Sequence, residues 1–233
     1  MGRYIPFAIV ATVLFIVAVS AGVFMRIKQQ HAAAVSAAAA VAVASAPVPE
    51  PGAQPPHVRG GGTAPVTLEE FGDFECPPCG NLSPILEKIE EDYGGRLRVI
   101  FRQFPLAIHR HASEAARASE AAGRQGRFWE MHDLLYHNRF LWPRAPDIRI
   151  VFNDYAKTLG LDLERFSKEM ESEQVAARVS ADQRRGAFLG VDRTPAIFIN
   201  NRRVPETSLN PPALHELINA AMNVKTEAAK NAK

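Results

Sequence analysis

The only two cysteines of this 233-residue chain, Cys76 and Cys79, stand three residues apart. A pair that close spans one helical turn and cannot staple distant parts of a fold, so there is no structural disulfide framework. Stability must come from packing. Hydrophobic residues make up 47% of the sequence, enough for a sizeable core, although an N-terminal apolar run and an Ala-rich stretch inflate that figure. A disulfide between such neighbours is local, and local disulfides are more often working than structural.

Residues 5–25, IPFAIVATVLFIVAVSAGVFM, are apolar and carry no charge. At 1.5 Å rise per residue this run makes a helix of roughly 30 Å, the thickness of a bilayer core. Secretory signal cores are shorter, about 7–15 residues, so the length favours an uncleaved anchor, with Val19-Ser20-Ala21 as the small-residue site of a cleaved alternative. Arg3 before the run and Arg26 and Lys28 after it nearly balance, and the positive-inside rule does not set the orientation. Residues 32–46 are mostly Ala, residues 47–56 are Pro-rich, and Gly60-Gly61-Gly62 follows, the composition of a tether. The expected organisation is therefore a membrane anchor over 1–28, a linker over 29–62, one folded domain over 63–224 and a flexible tail over 225–233. The net charge of +2 argues against nucleic acid as a partner, and paired arginines such as Arg184–Arg185 and Arg202–Arg203 read as solvated faces.

Within the domain, Val66, Leu68 and Phe71 suggest a buried strand leading into the segment FGDFECPPC. Pro77 sits where a helix would start, which suits its fixed φ. Leu82, Ile85, Leu86, Ile89 and Tyr93 form a stripe of helical period, interrupted by Pro84 and stopped at Gly94-Gly95. Residues 97–103 alternate as a strand does. A long helical block follows, with Ser113, Asp147 and Asp162 as expected caps. Ala196–Ile199 is a short apolar strand, Asn200-Asn201 a tight turn, Arg202–Val204 the returning strand, and Pro211–Met222 a last helix. Two strands joined through a helix must run parallel, and a hairpin antiparallel. The expected fold is α/β: a mixed, mostly four-stranded sheet with helices on both faces.

Disulfide exchange needs an attacking thiolate, a nearby thiol to resolve the mixed disulfide, and access for the substrate. A C-x-x-C at a helix start supplies the first two. The first cysteine, expected to be exposed, lies at the positive helix end, where backbone N–H groups lower its pKa, and the second lies one turn deeper. Half of a zinc site is a rival reading, but there is no second cysteine pair, and His109, His111, His132 and His137 fit no common ligand spacing. Two inert buried cysteines are the other.

The segment Phe71–Cys79 resembles the active-site segment of DsbA-like thioredoxin-domain proteins. Phe101-Arg102-Gln103-Phe104-Pro105-Leu106 resembles the following strand of that family, His109–Tyr136 its helical insertion, and Gly190–Ala196 its cis-proline loop. The likeness spans residues 66–222 and implies a thioredoxin fold and a thiol–disulfide oxidoreductase. It implies Cys76 as nucleophile, Cys79 as resolving thiol, and Pro195 as a cis proline presenting the Thr194 backbone to an extended substrate. It also implies that Glu70, six residues before Cys76, is a buried acid exchanging a proton with Cys79. Asp73 and Glu75 are rival proton shuttles. Pro84 matches the kinking proline of the active-site helix.

Pro77 and Pro78 set the redox tuning. Pro78 removes an early-turn N–H that would help a Cys76 thiolate, no His or Lys lies between the cysteines, and Glu75 precedes Cys76. The Cys76 pKa is therefore expected to be less depressed than in the strongest oxidases, unless Arg193 points at the site. The resemblance favours disulfide formation or exchange. A reductase or isomerase-like role, or a peptide-binding module without exchange, are the alternatives. The only redox group expected is the Cys76–Cys79 disulfide, with no metal and no separate cofactor. The expected partners are cysteine-containing proteins and a recycling redox partner. The domain is expected to be monomeric, on the periplasmic or extracytoplasmic side of the inner membrane.

Overall fold

The computed structural model describes residues 50–231, together with residues 25, 26, 29 and 30, and side chains through residue 224. The expected membrane segment, apart from its last residues, and the linker up to residue 49 lie outside the described residues. Among the described residues no helix is long and apolar enough to cross a membrane.

The elements run β1 (His57–Gly60), β2 (Val66–Gly72), α1 (Pro77–Tyr93), β3 (Leu97–Gln103), α2 (Ala112–Gly123), α3 (Phe128–His137), α4 (Ile148–Thr158), α5 (Leu163–Glu171), α6 (Glu173–Phe188), β4 (Ala196–Ile199), β5 (Arg202–Arg203) and α7 (Pro211–Asn231). The sheet order is β1-β3-β2-β4-β5. The β2–α1–β3 unit is parallel, and every other pairing is antiparallel. This is the thioredoxin fold with a mixed sheet of five strands, one more than the mostly four-stranded sheet expected. The additional strand, β1, lies in the segment read as linker, so the folded part begins before residue 63.

The strand at residues 57–60 has one apolar side chain and gives no strand pattern of its own. It is held from a distance. Three arginines catch the carbonyls ahead of it: Arg102 those of Pro51 and Ala53, Arg178 those of Gln54 and Pro55, and Arg185 that of Glu50. Asp182 accepts the Ala53 N–H at 2.7 Å. Trp129 Nε1 donates to the Val58 carbonyl. A buried backbone must find such partners, and this segment finds them in residues from Arg102 onward.

Successive strand residues face opposite sides. Val66, Leu68, Leu97, Val99, Ile197 and Ile199 face α1 and α7, where Leu82, Leu86, Ile89, Leu214 and Ile218 close one core. On the other face Glu69 and Arg102 meet Asp182 and Arg185 of α6. A second core joins Phe74, Phe101 and both cysteines to Met131, Leu135, Trp142, Phe152 and Phe166 of the helical block. Asp147 and Asp162 cap α4 and α5 as expected, each accepting a backbone N–H of the first turn. Ser113 does not cap α2: the cap position is His111, with no side-chain bond. Asn200 and Asn201 take positive φ, 47° and 64°, in the turn between β4 and β5. The backbone of α7 stays helical to Asn231, through most of the segment read as a flexible tail.

Candidate active site

Cys76 is the N-cap of α1, with Pro77 and Pro78 opening the helix. The loop before it is braced by acids. Asp73 Oδ1 accepts the Glu75 N–H, while its Oδ2 accepts the Leu106 N–H and the Nδ1–H of His109, each at 2.8 Å. Glu75 Oε2 accepts the His111 N–H at 2.7 Å. These bonds tie the 104–111 loop to the cysteine turn, and they occupy both carboxylates.

Across the site, the Thr194–Pro195 bond is cis, and the Cys76 thiol donates to the Thr194 carbonyl at 3.3 Å. Cys76 is 4% exposed and Cys79 is wholly buried. The expectation of an exposed first cysteine is thereby corrected: the Thr194 loop lies over the sulfur. The bond from the Cys79 thiol is the largest influence on Cys76 and brings its pKa down to about 6, against the opposing effect of burial. The Thr194 side chain and the Cys79 backbone N–H assist, and the nearby Asp73 charge opposes. The acid that matters here is thus Asp73 rather than Glu75. Burial, and then the bond and charges of Cys76 and Glu70, push Cys79 well above the ordinary thiol range. Arg193 is exposed and pairs with Asp192 and Glu206.

Glu69 and Glu70 both lie buried in β2, on opposite faces. Burial raises Glu69, but bonds from Arg185 and Arg102 outweigh it and hold the group below the usual range. Among the described residues Glu70 has no such partner. Burial, then the charges of Glu90 and Cys76, raise it to about 8, and its Oε1 has no hydrogen bond. Glu90, on α1, is raised to about 7, mainly by burial, despite Arg59 at 3.5 Å. Glu90 was not foreseen from sequence, since its influence passes between elements.

Of the four histidines weighed as ligands, His109 is bonded to Asp73, His132 to Asp133 and His137 to the Asp133 carbonyl. Among the described residues no group of His, Cys, Asp and Glu is arranged to hold a metal.

A thioredoxin family model matches residues 53–220. The chain belongs to the thioredoxin family. This thioredoxin-family chain resembles BdbD from Bacillus subtilis in its oxidised form, with 25% identity and a TM-score of 0.61 over 74% of this chain and 98% of that one. It resembles the thiol-disulfide exchange protein alpha-DsbA2 of Wolbachia pipientis, with 16% identity and a TM-score of 0.62 over 72% and 87%. A periplasmic thioredoxin-like protein of Salmonella enterica serovar Typhimurium aligns with 21% identity and a TM-score of 0.59 over 72% and 90%. At their identities the last two show the fold alone. The family match and BdbD bear out the resemblance, and all three neighbours share the thioredoxin fold. Among curated proteins, the chain is 43% identical over 149 residues to the Na(+)/H(+) antiporter NhaA 1 of Salinispora arenicola. That match covers 63% of this chain and 22% of the antiporter, so the chain spans about a fifth of the length of the curated relatives it matches.

Proposed function

We propose that this domain is a thiol–disulfide oxidoreductase working through Cys76 and Cys79. One observation carries the reading: adjacent thiols are driven in opposite directions, Cys76 down to about 6 and Cys79 well up, beneath a cis Thr194–Pro195 loop. At neutral pH the first is a thiolate and the second a thiol, the division that exchange requires.

In the oxidising direction a substrate thiolate attacks Cys76 of the Cys76–Cys79 disulfide. The substrate sulfur bonds to Cys76, and Cys79 leaves as a thiolate. A thiolate at a wholly buried position is unfavourable, and Glu70, neutral at pH 7 with a pKa of about 8, gives it a proton. A second substrate thiolate then attacks the substrate sulfur, and Cys76 leaves as the stabilised thiolate. The substrate has lost two electrons, which the dithiol now holds. Glu70 is preferred to Asp73 and Glu75 because their carboxylates are committed to backbone and His109 donors, whereas its Oε1 is free. Thr194 and Pro195 receive the substrate backbone beside Cys76.

A Cys76 pKa of about 6 lies between roughly 7 for thioredoxin and about 3.5 for DsbA, which supports a moderately oxidising couple. The substrates are cysteine-containing proteins, and a redox partner recycles the dithiol. The domain is a monomer, tethered by the apolar run over residues 5–25 to the inner membrane and facing the periplasm. The length of that apolar run supports the tether, and the need of a working disulfide for an oxidising neighbourhood supports the periplasmic side. The test is a Cys79→Ser variant, which cannot resolve mixed disulfides. Adducts to cysteine-containing proteins through Cys76 are expected. A domain that binds peptides yet accumulates no adduct is a binding module and not an enzyme.

A further inference from the structure

Arg139 follows α3 in a loop that also presents Phe140 and Leu141, 61% and 69% exposed. Arg139 itself is 6% exposed, yet its side chain makes no hydrogen bond or ion pair among the described residues, and its Nε is buried without a partner. A cation without a counter-charge in so enclosed a place is costly; of the three guanidinium nitrogens of Arg139 only Nε is wholly buried, so the terminal two reach the surface, where an anion can meet them. The Phe140 ring, 3.9 Å from the guanidinium carbon, covers one face and fills none of the N–H donors.

The side chain lies against Gly80, the residue after Cys79. The contact of Nε and Cδ is so close that a Cβ at position 80 would collide. Gly80 in turn donates its N–H to the Cys76 carbonyl at 3.1 Å. An unpaired guanidinium is thus fixed at the positive end of the redox helix, one residue from the dithiol. The nearest acids of the turn are engaged elsewhere, Asp73 with His109 and Glu75 with the His111 N–H.

We propose that Arg139 is an anion subsite that pairs with a carboxylate carried beside the reacting sulfur of the substrate. The inference rests on the exchange reading of the dithiol and names the substrate it prefers. Carboxylate is the anion that a polypeptide brings next to a cysteine, and glutathione carries carboxylates as well. The exposed Phe140 and Leu141 suit a segment in which that acid is flanked by apolar residues.

The test measures single-turnover exchange of the oxidised protein with short dithiol peptides that differ only in Glu, Gln or Lys beside the cysteine, and with reduced glutathione. The Glu peptide is expected to react about fivefold to tenfold faster than the Gln peptide, with Lys slowest and the spread shrinking in high salt. Arg139→Gln should bring the ratio to about one, Arg139→Lys should restore part of it, and Gly80→Ala should reduce it by displacing the guanidinium. A loss confined to glutathione assigns the subsite to that thiol, and a loss confined to the Glu peptide assigns it to protein substrates. Equal wild-type rates for Glu and Gln peptides together with a glutathione rate that Arg139→Gln leaves unaltered, or a preference that survives Arg139→Gln, would overturn the inference while exchange itself stands. No exchange with any thiol would remove the exchange reading and this inference with it.

Discussion

The thiol of Cys76 donates to the backbone carbonyl of Thr194, 118 residues further along the chain, at 3.3 Å. That bond joins the redox turn to the cis-proline loop and buries the sulfur. A substrate must therefore replace the Thr194 loop's cover with its own backbone as it reaches Cys76.

The largest influence lowering Cys76 is the Cys79 thiol, so the two titrations are linked. Thiolate absorbance of the reduced wild type should rise with a midpoint near pH 6. Cys79→Ala removes the donor, and the midpoint should move up by about one pH unit or more. Thr194→Val, which loses the hydroxyl, should move it in the same direction by less. An unchanged midpoint in Cys79→Ala would show that the thiolate is stabilised by something other than its neighbour.

Glu70 makes a prediction about stability as well as rate. Its pKa is raised from 4.5 to about 8 in the fold, so ionisation opposes folding. The cost begins as pH rises past 4.5 and is nearly complete at pH 8, where it amounts to about 3–5 kcal/mol. Glu70→Gln should stabilise the domain at pH 8 and leave it nearly unchanged at pH 4, by denaturant unfolding. The same variant should slow the turnover of a mixed disulfide trapped at Cys76. A variant that gains stability but resolves at the wild-type rate would remove Glu70 from the chemistry.

The buried ion network sets the boundary of the fold. Arg102 is bonded to Glu69, Asp182 and the carbonyls of Pro51 and Ala53. Arg102→Ala would leave the buried Asp182 without its cation and Glu69 with Arg185 alone, and is expected to cost about 3–5 kcal/mol. A chain starting at residue 63 should lose a comparable amount relative to one starting at residue 50, read as a lower midpoint in urea. Equal midpoints would return residues 50–62 to the status of a tether.

What the sequence disclosed and what it withheld follow from how local each signal is. The proline-opened helix after Cys76, the Asp147 and Asp162 caps and the Asn200-Asn201 turn are fixed by a few adjacent residues, and each is in place. The strand at His57–Gly60 is held by residues from Arg102 to Arg185, so no pattern within it marks it. Only the family resemblance points to Glu70, because β2 is buried on both faces and apolar alternation there cannot tell Glu70 from its neighbour Glu69. The burial of Cys76 and the isolation of Arg139 likewise depend on contacts between separate elements.

The reduction potential of residues 50–233, equilibrated against glutathione, tests the central claim most directly. An exchange-active couple with a Cys76 pKa of about 6 is predicted to fall between about −270 mV, as for thioredoxin, and about −120 mV, as for DsbA. A potential below about −300 mV, the range of structural disulfides, would contradict it and make Cys76–Cys79 a staple rather than a working pair.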